Sequence, residues 1–352
     1  MPVRVGIIGC GSISRFHQEG YVRCGAQIVH VCDIDREVAE KTATAHGARV
    51  STDYSELLAD PLVDLVSICT ISSVHKDIAL AAIAADKAVV CEKTLTDNAH
   101  ASADVARAAD NSRSYFATGY MKRFFPAARQ AKDLLGSMGQ IRSIHARTWQ
   151  PFAVLSNTIL PAEYAAKPSW ISANFGGGVL VCGGSHILDL IHWFAGRPVQ
   201  VCASMRAHEG CDFDMQTNAM LWLPGGGICH LETFWHPLTR AGYERNGWDE
   251  RLEINTDTGR LDLYTVKWDE PEKNGALLVH QDAVSGRVTE YRYAAMNPFY
   301  LEMASHVRRL TAPESASPSA WDGYVVDEVI AQITASAREN SVRPIVYEDQ
   351  AQ

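Results

Sequence analysis

Val3-Arg4-Val5-Gly6-Ile7-Ile8-Gly9-Cys10-Gly11-Ser12-Ile13-Ser14 opens the chain almost at its first residue. The Val- and Ile-rich half reads as a strand, and the glycines turn the chain into a helix-like run. Gly9 suits the tight turn. Gly11, lacking a side chain, lets backbone approach a pyrophosphate at the helix N-terminus, where free N–H groups and the dipole favour an anion. Ser12 and Ile13 complete that phosphate side. The third position of the pattern, ordinarily Gly or Ala, is Ser14, small enough for helix–strand packing. The motif alone is weak. Asp33 strengthens it: it ends the next strand-like run about 20 residues on, where an acid meets the ribose 2′-hydroxyl. A carboxylate there repels a 2′-phosphate, so NAD is expected over NADP, although Arg36 lies close by.

The same rhythm continues outward. Strand-like runs at 3–8, 28–32, 65–70, 88–91 and 114–118 alternate with helical patterns at 12–24, 36–46, 74–85 and 97–109. Apolar strands separated by helices imply an α/β Rossmann domain, a parallel sheet covered on both faces. Near Tyr120 the rhythm changes. A helix follows Pro126, then strand-like segments at 141–148, 199–205, 219–223, 228–234, 252–255 and 261–263, interrupted by one long helix over 179–194. Strands in series predict an α+β C-terminal domain with an open, largely antiparallel sheet. The Pro- and Ser-rich stretch 310–320 reads as a loop before a final helix over 322–339. The expected domains are therefore 1–120 for the dinucleotide and 121–352 for substrate and oligomerisation.

Bulk properties narrow the partners. A chain of 352 residues exceeds one comfortable core. Its net charge of −9 argues against nucleic acid, whose phosphates need a dense basic surface. Nine scattered cysteines without a C-x-x-C pair suit a reducing compartment, so the expected location is cytoplasmic. No secretory pattern precedes the first strand. No run reaches the roughly 18 apolar residues of a membrane span, and no metal site is expected.

Two places carry candidate chemistry. Glu92-Lys93 stands at the carboxyl end of the 88–91 strand, the edge where doubly wound sheets bind ligands. A lysine there can hydrogen-bond a substrate hydroxyl, or it can be an ordinary surface lysine. The second is Gly176-Gly177-Gly178, leading through Cys182 to His186 and Asp189 near one helical face. His186 can be a general base or a satisfied core histidine.

Taken in order, Gly9–Ser14, Asp33, His75, Glu92-Lys93, Thr118–Phe124 and Gly176–Asp189 resemble the glucose–fructose oxidoreductase/inositol dehydrogenase/rhizopine catabolism family (Gfo/Idh/MocA) over nearly the whole chain. The resemblance implies an NAD(P)-dependent oxidoreductase acting on a secondary alcohol of a sugar, sugar derivative or cyclitol, and a homodimer or homotetramer built through the sheet. It implies that Lys93 and His186 are catalytic, with Cys182 and Asp189 as possible support. On the cofactor side it adds Thr70, His75, Glu92, Lys93 and Lys122 to Gly9, Gly11, Ser12, Ile13 and Asp33. Arg123, with Lys93 and His186, falls on the substrate side. Trp149 and His236, which end strands, are the leading pocket candidates, followed by Gln150, Trp170, Trp235 and Tyr300.

Two positions depart from the family pattern. Thr94 replaces the proline after the lysine; a cis bond before a non-proline costs about 3 kcal/mol, so trans is expected. Cys182 replaces the aspartate four residues before the histidine, and a neutral thiol cannot orient an imidazole as a carboxylate does. In the expected reaction His186 takes the hydroxyl proton and Lys93 stabilises the developing alkoxide. Three alternatives stay open: an NAD-recycling glycoside-cleaving enzyme, an aldehyde-oxidising enzyme with Cys182 as nucleophile, and a non-catalytic NAD-responsive regulator.

Overall fold

The computed structural model describes residues 2–151, 177–207, 213–267, 273, 275–311 and 317–350; Trp170 and Gly176 lie outside them. The chain forms two compact units, Met1–Met121 with Phe299–Asp327, and Lys122–Pro298 with Glu328–Gln352.

The first unit holds strands β1 (Arg4–Ile8), β2 (Gln27–Cys32), β3 (Arg49–Ser51), β4 (Leu65–Ile68), β5 (Ala88–Glu92) and β6 (Phe116–Gly119). All pair in parallel, in the order β3-β2-β1-β4-β5-β6. Every residue of β4 and β5 is buried, as a sheet covered on both faces requires. Helices α1 (Ser12–Arg23), α2 (Arg36–His46), α3 (Tyr54–Leu58), α4 (His75–Ala84) and α5 (Ala99–Asp110) connect the strands. The short β3 and α3 carry too few residues to show a period, and the sequence pattern passes over them.

Residues 299–327, from helix α8 (Pro298–Thr311) and the first part of α9 (Ala320–Glu339), fall in the first compact unit. The reason is packing. Fully buried Met303 joins the core made by Val3, Val5, Ile7, Val31 and Leu65. Phe299 stacks on Phe16 at 5.1 Å. Gly20 makes room: a Cβ there would meet Met303 Cγ at 2.8 Å.

The second unit contains α6 (Pro126–Leu135), β7 (Ile141–Gln150), a π-helical turn over Leu180–Gly184, α7 (Ser185–Ala195), and strands β8 (Gln200–Ala207), β9 (Asp214–Trp222), β10 (Ile228–Trp235), β11 (Asp249–Thr256), β12 (Gly259–Thr265), β13 (Leu277–Asp282), β14 (Val288–Arg292) and β15 (Arg343–Pro344). They make one nine-stranded sheet, β14-β13-β12-β11-β7-β10-β9-β8-β15. β7 and β10 pair in parallel and every other neighbouring pair is antiparallel. The alternating burial of β7 and β10 shows one covered face and one open face. Among the described residues no helix is long and apolar enough to cross a membrane.

Candidate active site

In the first unit the glycine turn is shaped for a ligand backbone cannot replace. Gly9 holds φ +87°, and a Cβ there would strike Cys69 backbone at 2.8 Å. Gly11 differs: a Cβ would meet nothing within 4 Å, so its bareness serves no internal packing. Helix α1 starts at Gly11 without a side-chain cap, whereas Asp35, Asp53 and Asn98 cap α2, α3 and α5. The first amides of α1 therefore keep their capacity for an anion. Ser12 is exposed and Ile13 half-buried beside them, while Ser14 Oγ turns back to donate to Gly11 O at 2.7 Å. Asp33 is fixed at the end of β2, accepting from Cys10 N at 2.7 Å and Asp35 N at 2.9 Å. Thr70 Oγ1 is buried with no hydrogen-bond partner among the described residues. These residues fit a dinucleotide: an anion cradle, an acid for the ribose, and a buried hydroxyl awaiting a partner.

Lys93 leaves the carboxyl edge of the same sheet. Within 92–96 it alone is not buried; Glu92, Thr94, Leu95 and Thr96 all are. Glu92 turns inward, where Oε1 lies 2.8 Å from His17 Nε2 and Oε2 accepts from Lys93 N at 3.1 Å. His17 Nδ1 is 2.8 Å from Ser67 Oγ, to which Tyr21 also donates. Burial pulls the His17 pKa down, but Cys69 and Glu92 more than reverse it and hold the pKa well above its ordinary value. Glu92 is thus half of a buried ion pair. The Lys93–Thr94 peptide is cis, against the trans expectation. His75 Nδ1 faces the carbonyls of Thr94 and Leu95 at 3.0 and 3.2 Å, and its Nε2 faces Thr70 O at 3.0 Å. Burial lowers the His75 pKa. His75 thus lies between the end of β4 and the lysine turn, and as a neutral ring it donates its one N–H to one of them.

In the second unit His186 lies on α7, directly after the π-helical turn. Glycines let that turn lie flat on the sheet. A Cβ on Gly183 would meet Gln150 Nε2 at 2.3 Å, one on Gly184 would meet Thr233 Cγ2 at 2.9 Å, and one on Gly178 would meet Asp214 O at 1.9 Å. Asp214 accepts from Leu180 N at 3.1 Å and Thr217 Oγ1 at 2.7 Å, and burial pushes its pKa up to about 6. The helix expected over 179–194 is therefore two pieces, a wide turn and a regular helix.

The other expected residues are placed as follows. Asp189 carries a bidentate Arg123, Nε to Oδ2 at 2.9 Å and Nη2 to Oδ1 at 2.6 Å. That guanidinium also lies 5.5 Å above Trp193. Asp189 is thus engaged by Arg123, which is 7% exposed and tied to α7. Lys122, expected at the cofactor, is 1% exposed with its ammonium on Glu250, whose carboxylate also accepts from Thr148 and Thr265. Cys182 packs against the apolar cluster of Val179, Phe213 and Trp235. Trp149 lies on the opposite face of β7 from Thr148 and Gln150, because side chains alternate along a strand. It packs on Phe234 and Arg147, away from the strand face that carries the glycine turn. His236 is fully buried; its Nε2 donates to Gly247 O at 2.9 Å and Nδ1 accepts from Leu238 N at 2.9 Å, so both ring nitrogens are engaged by the loop that follows β10. Tyr300 lies on α8, in the first unit. Gln150, whose amide packs on Gly183 and accepts from Trp235 Nε1 at 3.0 Å, is on the strand face that meets the turn before His186. His17 and Asp214 went unremarked in the sequence, since nothing local marks a histidine on α1 or an acid opening β9 as special.

A parallel sheet with an uncapped, glycine-led first helix, an acid closing β2 and a lysine presented beyond β5 defines a dinucleotide-dependent oxidoreductase domain. Residues 3–120 match the model of the oxidoreductase family with an NAD-binding Rossmann fold, and residues 128–262 match the Gfo/Idh/MocA C-terminal domain. The chain belongs to the Gfo/Idh/MocA family of oxidoreductases. Its first domain binds NAD. It is 26% identical over 360 residues to inositol 2-dehydrogenase 2 of Saccharopolyspora erythraea, covering 98% of this chain and 96% of that protein. It is 28% identical over 334 residues to the inositol 2-dehydrogenase of Acidothermus cellulolyticus, covering 92% and 89%. A levoglucosan dehydrogenase solved with NADH and levoglucosan shares the fold, with a TM-score of 0.83 at 20% identity over 99% of this chain and 100% of that one.

Proposed function

We propose that the protein is an NAD-dependent dehydrogenase that oxidises a secondary alcohol of a sugar, sugar derivative or cyclitol, with Lys93 and His186 as its catalytic residues. The observation that carries this is the lysine turn: every neighbour of Lys93 over 92–96 is buried and Lys93 is not, at the ligand edge of the parallel sheet. The relatives named inositol 2-dehydrogenase support a polyol substrate.

When bound, NAD supplies an acceptor for the hydride of the carbinol carbon. Lys93 donates a hydrogen bond to the reacting oxygen and stabilises its developing negative charge. His186 accepts the hydroxyl proton. Gly11 and the first amides of α1 take the pyrophosphate, and Asp33 takes the ribose hydroxyls, favouring NAD over NADP. Thr70 and His75 stand where the end of β4 meets the lysine turn.

The eight described cysteines are all free, which supports a cytoplasmic setting. The resemblance to the family implies a homodimer or homotetramer through the open face of the nine-stranded sheet, where His145 stacks on His230 at 4.9 Å.

NADH formation from NAD, run in parallel with NADPH formation from NADP and measured across inositols, free sugars, sugar acids and anhydrosugars, tests the reading. One substrate class gives turnover, faster with NAD. Lys93→Met and His186→Ala each lose on the order of 10²-fold or more in kcat and keep calorimetric NAD binding. Full turnover in both variants overturns the assignment, and light scattering decides the oligomeric state.

A further inference from the structure

Beyond Lys93, the turn that carries it is gripped from the far end of the chain. Helix α9 begins with a capping exchange, Asp322 Oδ2 accepting from Ser319 N at 2.7 Å and Asp322 N donating back to Ser319 Oγ at 3.1 Å. That start is tied to the end of β6, where Thr118 N donates to Pro318 O at 2.9 Å and Thr118 Oγ1 donates to Ser319 O at 2.9 Å. Gly323 lets the helix come close: a Cβ there would meet Thr118 Oγ1 at 2.8 Å and Leu95 Cβ at 2.9 Å. One turn further along α9, Asp327 Oδ2 accepts from Ser102 Oγ at 2.6 Å and from Thr96 N at 3.2 Å. Thr96 Oγ1 donates to Asn98 O at 2.6 Å and lies 2.7 Å from Ser102 Oγ.

Asp327 is 5% exposed on a helix whose neighbouring residues Tyr324, Val325, Val326 and Val329 form apolar core. An apolar side chain is the stable choice for such a position, because an acid must be desolvated. Burial accordingly pushes the Asp327 pKa up to about 7, with Asp97 adding to the shift. Asp327 in turn helps hold up the thiol of Cys91 on β5. A destabilising acid in the core, both of whose bonds from Oδ2 go to the segment 96–102, is placed for what it holds.

We infer that Asp327 is a positioning residue for the catalytic lysine: its carboxyl, delivered by α9, fixes the 94–98 turn and thereby sets where Lys93 stands. The inference rests on the proposed role of Lys93 and goes beyond it. His75 Nδ1 faces the Thr94 and Leu95 carbonyls of the same turn, and Asp327 grips it through the Thr96 amide, so the peptide groups after Lys93 are flanked from two sides.

The test uses the full chain with Asp327→Leu, Asp327→Asn and Ser102→Ala. Asn keeps a carbonyl acceptor for Thr96 N and Ser102 Oγ, and Leu keeps only the volume. Asp327→Leu is expected to lose at least about tenfold in kcat, with the KM for NAD within about threefold. Asp327→Asn is expected to recover most of that kcat. Amide hydrogen exchange of the peptide spanning 93–98 is expected to rise at least about tenfold in Asp327→Leu and measurably in Ser102→Ala, a readout that needs no turnover. Wild-type exchange in both variants, or wild-type kcat in Asp327→Leu, overturns the inference. Should Asp327→Leu fail to fold, unchanged exchange in Ser102→Ala overturns it equally. Lys93→Met, run alongside, separates the two readings: if it keeps full turnover, the lysine assignment fails, while the exchange data still decide whether Asp327 holds the turn.

Discussion

Cys182 stands where the family pattern has an aspartate, and it packs on the apolar side chains of Val179, Phe213 and Trp235. Cys182→Ala is therefore expected to keep kcat within about threefold and to lose roughly 1 kcal/mol of stability from the shortened contact, checked by steady-state turnover and urea denaturation. A dead variant that melts normally would return the thiol to the chemistry. At the same scale Asp327 yields a pH prediction. Its folded pKa, about 7, lies above its ordinary 3.8, so the folded state holds the proton more tightly than the unfolded chain does. The stability contributed by that proton is complete below about 4 and is lost as pH rises towards 7. Asp327→Asn lacks this loss. Its melting temperature relative to wild type is expected to climb between pH 4 and 7 and to level off above. Which residues were legible follows from distance along the chain. Gly9, Gly11, Asp33 and Lys93 announce themselves because their neighbours in sequence are their neighbours in the site. Arg123 with Asp189 and Lys122 with Glu250 are pairs joined only by the fold, and no sequence window shows them because the partners lie 66 and 128 residues apart.

Elements show the same division between what a short window dictates and what packing adds. The alternation that predicts β7 and β10 is present in the sequence, and so is the glycine-rich approach to α7. Neither says that residues 180–184 widen into a π-helical turn, which depends on Gln150, Thr233 and Asp214 crowding in from three strands. The strand register decides Trp149 as well: one residue either way moves a side chain to the other face of the sheet. Glycines separate folding from binding in a measurable way. At Gly178 a methyl would meet Asp214 O at 1.9 Å, a backbone atom that cannot step aside. Gly178→Ala is expected to cost on the order of 3 kcal/mol or more, read as a lower melting temperature or loss of soluble protein. At Gly11 a methyl meets nothing within 4 Å, and φ −71° suits alanine. Gly11→Ala should change stability by less than about 1 kcal/mol, the scale of a helix-cap exchange, while weakening calorimetric NAD affinity at least about tenfold. Unaltered NAD affinity in that variant would remove Gly11 from the cofactor site.

For the whole molecule, the order of the chain and the order of the fold differ, and that difference predicts what a truncation does. The change of rhythm near Tyr120 suggested that everything before it forms the dinucleotide domain. The first compact unit takes in 299–327 as well. Without that return, Met303 leaves the core it shares with Val5, Ile7 and Val31, Phe16 loses the ring stacked on it, and Gly20 faces a gap shaped for α8. Thr96 N and Ser102 lose Asp327, so the end of the unit that carries Lys93 is released along with the core. Cavity formation around a residue the size of Met costs about 2–5 kcal/mol, comparable to the net stability of a whole domain, about 5–15 kcal/mol, and here several such losses fall together. A chain ending at residue 121 is thus expected to show helical circular dichroism without a cooperative thermal transition and without calorimetric NAD binding. Rejoining 299–327 through a flexible linker is expected to restore both, because the linker's entropic cost grows only slowly with its length. A 1–121 fragment that melts cooperatively and binds NAD as the full chain does would show that the returning helices are an accessory to the nucleotide fold and not part of it.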